Sequence, residues 1–409
     1  MPKAALASVL SEARTHVRSA PDGLWPGFHP AKVPLLIFDG QTTHLSGALP
    51  QEPGWTEVTD GWSWLGRHPA LIANTAVTLP GDVVAAGLLA DGLVALEPRR
   101  LAALLVHEAF HVFQAAHPSP AWEANELDTL TYPRTELAVA QARAEEAAQL
   151  AAALAHPESW EAAACQALAW RNVRRGHLSP EHLCYEQRME TVEGLAHFVE
   201  TRFLNEIPRL NGVQDARANV REWAYRSGAA LAHLLTRRGE GWQAQVMAGI
   251  PLDALLVIHL GSGERPAASS ELLEAARQAV QDAKSQLTAL RTEFQSRPGP
   301  RLTLQTGVPW NVVGFDPLNV YALPDGALLH QRYLRLAGPA GELEVMGAVS
   351  LTHGPQPLSV TRLEVAGLPA GLEPALMQER WRLFSGSLHV NVPARAVTAD
   401  AQGGWNISF

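Results

Sequence analysis

Apolar and polar positions follow three different rhythms along these 409 residues, and the places where the rhythm changes mark out regions. In the first hundred residues the apolar runs are short. Val33-Pro34-Leu35-Leu36-Ile37-Phe38 stops at Asp39-Gly40, and the run Leu71 to Leu79 stops at Pro80-Gly81. Both read as strands closed by turns, and the stretch from Ser11 to Ser19 reads as a helix. From residue 98 to about 297 the apolar residues recur every three or four positions. This predicts helices over 98–116, 135–155, 158–175, 180–205, 215–237 and 270–296. Pro98 suits a first helical turn, and Pro118 helps to end the same helix. After Ser296-Arg297-Pro298-Gly299-Pro300 the text changes to short β-prone runs such as Arg301-Leu302-Thr303-Leu304 and Ser387-Leu388-His389-Val390-Asn391-Val392, set between Gly and Pro turns. No internal repeat is visible.

A chain of this length exceeds one ordinary core. The expected fold is α+β. Residues 1–97 form an N-terminal α/β part with a small sheet, 98–265 a mainly helical part, 266–299 a connecting helix, and 300–409 a β-rich, sandwich-like domain.

The 98–116 helix is apolar nearly all round (Leu101, Leu104, Leu105, Val106, Phe110, Val112, Phe113), which predicts a buried helix. Within it stands His107-Glu108-Ala109-Phe110-His111. Histidines four positions apart lie one turn apart on a helical face, about 6 Å along the axis, so both rings can reach one cation. Glu108 is placed to take a proton from a metal-activated water. This is the HExxH arrangement of two ligands and a general base, and it points to Zn2+. HExxH fixes only three positions, so the competing reading is a structural histidine pair. Burying two histidines and a glutamate without a shared task is costly, which favours the metal reading.

Catalytic zinc usually takes three protein ligands. One candidate for the third is His117, since His107, His111 and His117 have the metzincin spacing. Gln114, however, occupies the position where that pattern has its helix-breaking glycine. Other candidates lie on the 180–205 helix, where Glu190, Glu193, His197 and Glu200 repeat at intervals of 3, 4 and 3 on one face. A solvated charged stripe would look the same. Gly194 is unusual in mid-helix, costing about 1 kcal/mol against alanine, and fits the close approach of another helix.

Glu193-Gly194-Leu195-Ala196 resembles the Glu-Gly-x-Ala segment that follows HExxH in gluzincin metallopeptidases. The resemblance covers about 100–240 and implies a zincin-like catalytic region. It also implies that His107, His111 and Glu193 hold zinc, with Glu190 in reserve, and that Glu108 activates water for cleavage of a peptide or protein substrate. The departure is the spacing of 82 positions between His111 and Glu193, which makes the 135–175 helices an insertion. A gluzincin-like site also implies a donor to the developing oxyanion. Tyr225, in Trp223-Ala224-Tyr225-Arg226-Ser227-Gly228, resembles the Tyr-x-x-Gly segment of related zincins; His197 and Tyr185 are alternatives. In zincins an edge strand before the active-site helix pairs with substrate, which makes Asn74, Thr75 and Ala76 candidate contacts. The alternatives to a peptidase are a catalytically inactive zincin-like binding protein that keeps its metal, and a metzincin-like peptidase using His117.

Composition alters this little. Hydrophobic residues at 47% and charged residues at 18% describe a globular chain. The formal charge of −9 gives no basic excess for phosphates, so nucleic acid is not an expected partner. Neither an apolar leader segment nor an 18-residue apolar run is present, so no membrane partner is expected. Cys165 and Cys184 have no CxxC partner and read as free thiols in a reducing compartment, so the expected location is cytoplasmic. The sequence is silent on oligomeric state.

Overall fold

The computed structural model describes residues 3–90, 93, 97–261, 263–400 and 403–409. The chain is α+β, with a small N-terminal sheet, a helical middle and a β-rich C-terminal region. It divides into two compact units. The first contains residues 1–124 and 136–277, and the second contains 125–135 and 278–409.

The first unit opens with α1 (Lys3–Arg18) and six strands: β1 (Leu35–Phe38), β2 (Thr42–Ser46), β3 (Trp55–Val58), β4 (Gly61–Leu65), β5 (Thr75–Leu79) and β6 (Val83–Leu89). Their order across the sheet is β3-β4-β2-β1-β6-β5, which leaves β5 at an edge. β1 and β6 run parallel, and every other pairing is antiparallel. The continuous apolar run at 35–38 has a simple cause, because β1 is covered on both faces. Leu35 and Ile37 face the main helical core, whereas Leu36 faces a smaller cluster with Leu45, Leu71, Val77, Leu79 and Ala85. The strand expected over 71–79 starts only at Thr75. Asn74 accepts a hydrogen bond from the Leu89 amide (2.9 Å) just before it.

The helices follow as α2 (Pro98–Ala116), α3 (Leu137–Ala155), α4 (Trp160–Arg175), α5 (Pro180–Leu204), α6 (Gly212–Asp215), α7 (Val220–Arg238), α8 (Trp242–Met247), α9 (Leu252–Leu260) and α10 (Ser270–Ser296). Local chemistry explains their ends. Pro98 and Pro180 occupy first-turn positions, and Ser179 caps α5 through the His182 amide. Asn219 and Glu222 close a capping box on α7, which starts that helix later than the pattern suggested. Leu101, Leu105, Val106 and Phe110 of α2 pack with Leu195, Phe198 and Val199 of α5 and with Trp223 and Leu231 of α7.

Two glycines set the α5–α7 distance. A Cβ at Gly194 would lie 2.6 Å from the Gly228 Cα, and one at Gly228 would lie 2.3 Å from the Glu190 carbonyl oxygen. The mid-helix glycine is therefore the close approach that the sequence suggested.

The second unit holds twelve strands, β7 to β18, between Leu302 and Ser408. Hydrogen bonds join them in one array whose main path is β14-β15-β16-β11-β10-β7-β13-β12-β9-β8. β18 pairs with β17 and, in parallel, with the 14-residue β7. Leu334, Leu336, Leu343, Val345, Leu363 and Val390 alternate into its core. The expected boundaries at 266 and 300 are not where the units divide. Ser270–Arg277 of α10 belong to the first unit and Gln278–Ser296 to the second, where Leu287 and Phe294 pack on Leu329 and Leu351. Segment 125–135 also joins the second unit, a long-range association with no periodic signal in the sequence.

Candidate metal centre

The core position of α2 carries His107 and Glu108 inward, leaving each less than a tenth exposed. One turn on, the His111 ring meets His107 with the two Nε2 atoms 3.2 Å apart. From α5, Glu193 brings Oε2 to 3.6 Å from His107 Nε2 and 3.7 Å from His111 Nε2. Bonds of about 2.0–2.2 Å in a tetrahedral zinc site put neighbouring ligand atoms about 3.3–3.6 Å apart. The three separations, 3.2, 3.6 and 3.7 Å, lie within about 0.1 Å of that range. Among the described residues this is the one such group of three, with all ligand atoms within 4.8 Å of one another.

Each ligand is held from behind. His107 Nδ1 lies 3.3 Å from Glu200 Oε2, an ion-pair contact rather than a well-directed hydrogen bond. The same oxygen accepts from His197 Nδ1 (3.0 Å) and from the Tyr225 hydroxyl (2.8 Å). The Tyr225 ring is stacked between both imidazoles, with centroids 5.4 Å from His107 and 4.1 Å from His197. His111 Nδ1 meets Gln114 Oε1 at 2.7 Å. Glu193 Oε1 accepts from Arg221 Nη2 of α7 at 2.6 Å, leaving Oε2 for the histidines. Such outer partners orient metal ligands and tune their basicity.

Electrostatics agree with this division of labour. For Glu193 and Glu200, burial favours the neutral acid, but the histidines facing them outweigh it and hold both carboxyls well below the usual range. Burial would likewise lower His107, yet Glu193, Glu200 and Glu108 outweigh it and raise its pKa to about 10 in the absence of a cation. Glu108 moves the other way. Desolvation raises its pKa against the pull of His107 and His111, and its buried Oε2 has no hydrogen-bond partner. A buried carboxylate oxygen without a partner, on the residue that follows His107, is a feature that a functional site would explain.

Several residues proposed from sequence stand elsewhere. Glu190 is buried with Oε2 2.8 Å and Oε1 2.7 Å from Arg171, and Ser227 Oγ donates to Oε1 at 2.6 Å. It belongs to a buried ionic cluster with Glu146, Arg174 and Glu186, and it lies outside the group of three. His117 caps the end of α2, bonds the Phe113 carbonyl (2.8 Å) and stacks on its ring, away from the group of three. Without the glycine the helix runs on to Ala116, as Gln114 implied. The Tyr225 hydroxyl, the expected oxyanion donor, donates to Glu200 behind His107. His197, the alternative donor, likewise meets Glu200.

Gln114, Glu200 and Arg221 were not assigned roles from the sequence. Glu200 was visible on the α5 stripe, but a stripe does not say which oxygen meets which ring. Arg221 lies in the first turn of α7, and only the glycine contact between helices brings it to Glu193.

A cleft of about 440 Å³ opens on the centre. His111, Gln114, Glu193 and Arg221 line one side, and Asn74, just before β5, with Thr75 and Ala76 of the β5 edge line another. The candidate edge contacts thus share the cleft with two of the ligands. No family model, curated protein or solved structure matches this chain.

Proposed function

We propose that the chain is a zinc-dependent hydrolase that cleaves amide bonds, a peptidase of gluzincin type. The observation that carries this reading is the convergence of His107, His111 and Glu193 beside a desolvated, unpartnered Glu108. Two imidazoles and one carboxylate at tetrahedral spacing suit zinc, with a fourth position open for water. Zinc, when bound, polarises the scissile carbonyl and lowers the pKa of the attacking water to about 7.

The protein's own residues do the rest. Glu108 accepts the water's proton and returns it to the leaving amine, and burial brings its pKa closer to the working pH. Arg221 keeps Glu193 Oε1 occupied and Oε2 available. Glu200, with Tyr225 and His197, fixes the His107 ring. The β5 edge offers backbone groups to an extended peptide, which suits a peptide or protein substrate. Within this reading the first unit is zincin-like and the β-rich unit sandwich-like. The two free cysteines fit a cytoplasmic setting.

Zinc content and turnover on a peptide library test the proposal. Wild type should hold about one zinc per chain. Glu108→Gln should keep the metal and lose at least about 100-fold in turnover. Undiminished turnover in that variant ends the catalytic claim. Zinc without turnover in wild type would favour the binding-protein reading. Metal lost in His117→Ala but kept in Glu193→Ala would overturn the ligand set.

A further inference from the structure

Gln114 sits three positions after His111, and its amide is held at both ends. Nε2 donates to the carbonyl oxygens of Val192 (3.0 Å) and Thr191 (3.3 Å) on α5, and Oε1 faces His111 Nδ1 at 2.7 Å. An amide oxygen cannot take the Nε2 position, because both partners there are acceptors. The orientation of the amide is thereby decided, and so is the hydrogen on the ring. Oε1 only accepts, so His111 Nδ1 must be the N–H that donates. Whenever the ring is neutral, as a metal ligand must be, a hydrogen on Nδ1 leaves the lone pair on Nε2, the atom that faces Glu193 Oε2 and His107 Nε2. The 3.2 Å contact between the two Nε2 atoms then takes its hydrogen from His107.

We infer that Gln114 is a positioning residue that locks His111 in the Nδ1–H tautomer and ties α2 to the turn of α5 that presents Glu193. This inference rests on the zinc reading and deepens it. A histidine ligand's far nitrogen commonly donates to a carboxylate or a backbone carbonyl. Here a side-chain amide takes that place and passes the restraint to the residue just before the third ligand. Gln114 therefore couples two ligands from different helices: the ring it accepts from and the carboxylate next to the carbonyl it donates to. The position at which glycine would break the helix in the metzincin spacing instead keeps the helix intact and uses the side chain.

Two measurements test this. Nitrogen-15 NMR of the His111 ring in the metal-free and zinc-loaded full chain should show the hydrogen on Nδ1 in both. A ring with its hydrogen on Nε2 in the metal-free protein, or zinc on Nδ1, overturns the inference without any variant. Gln114→Met keeps length and removes both the acceptor and the donors. It should weaken zinc binding by about 10- to 100-fold in competition with a chromophoric chelator and let both His111 tautomers appear. Wild-type affinity and a single Nδ1–H tautomer in a folded Gln114→Met chain would overturn the assignment. A wild type that binds no zinc would instead defeat the zinc reading; where wild type does bind it, unchanged binding in His111→Ala would place the metal elsewhere and defeat that reading as well.

Discussion

At the scale of single residues, burial and neighbouring charge give each group its part. Glu108 and Glu193 are both partly desolvated carboxylates, yet their pKa values move in opposite directions. Burial dominates at Glu108, whereas the histidines and Arg221 overcome it at Glu193. The metal-free protein has a pH signature as a result. His107 rises from 6.5 to about 10, so its ionic contacts stabilise the fold fully below about pH 6.5 and fade as pH climbs through about 10. On the proposed zinc reading the metal would have to displace that proton, so its apparent affinity should rise with pH across the same window, by up to about tenfold per unit. Chelator competition at about pH 6 and about pH 8 checks this. Equal affinities would mean that His107 holds no proton there.

At the scale of elements, the α5–α7 crossing places the third ligand's clamp. Gly194 and Gly228 let the backbones touch, which puts Arg221 on Glu193 and Tyr225 on Glu200. Gly194→Ala gains about 1 kcal/mol in helix propensity. The new Cβ meets the Gly228 Cα at 2.6 Å, and backbone cannot yield as a flexible side chain does. Overpacking of this kind costs about 1–3 kcal/mol. The expected result is a net loss of stability in urea unfolding together with weaker zinc binding, since α7 must retreat from α5. A variant at least as stable as wild type would show that the contact is looser than drawn. The Gln114 bridge between α2 and α5 belongs to the same scale, because it couples helices that the sequence separates by 77 positions.

At the scale of the whole molecule, His107, His111, Glu193 and the cleft all lie in the first unit. A ligand that binds only the folded form stabilises it by about 2.7 kcal/mol when free at 100 times its dissociation constant. Zinc should therefore raise the melting of the first unit and leave that of the β-rich unit where it was. Calorimetry with zinc and with chelator reads this directly. A shift shared by both units would mean that they melt as one cooperative body.

The sequence by itself determined the α+β class and the start and end of α2 and α10, and it set His107, Glu108 and His111 within one turn of α2. Those features are local. Helical period, capping residues and a one-turn spacing act within a few residues of each other, so they are written next to one another in the chain. The resemblance ranked Glu193 ahead of Glu190, but the surroundings of the two carboxylates, which share a helical stripe, came only from the tertiary structure. Arg171 and Ser227 claim one, and the histidines and Arg221 claim the other. The work of Gln114, the retreat of Tyr225 to Glu200 and the division of the chain within α10 were decided there too. Each depends on contacts between segments far apart in sequence, and periodicity carries no signal for these.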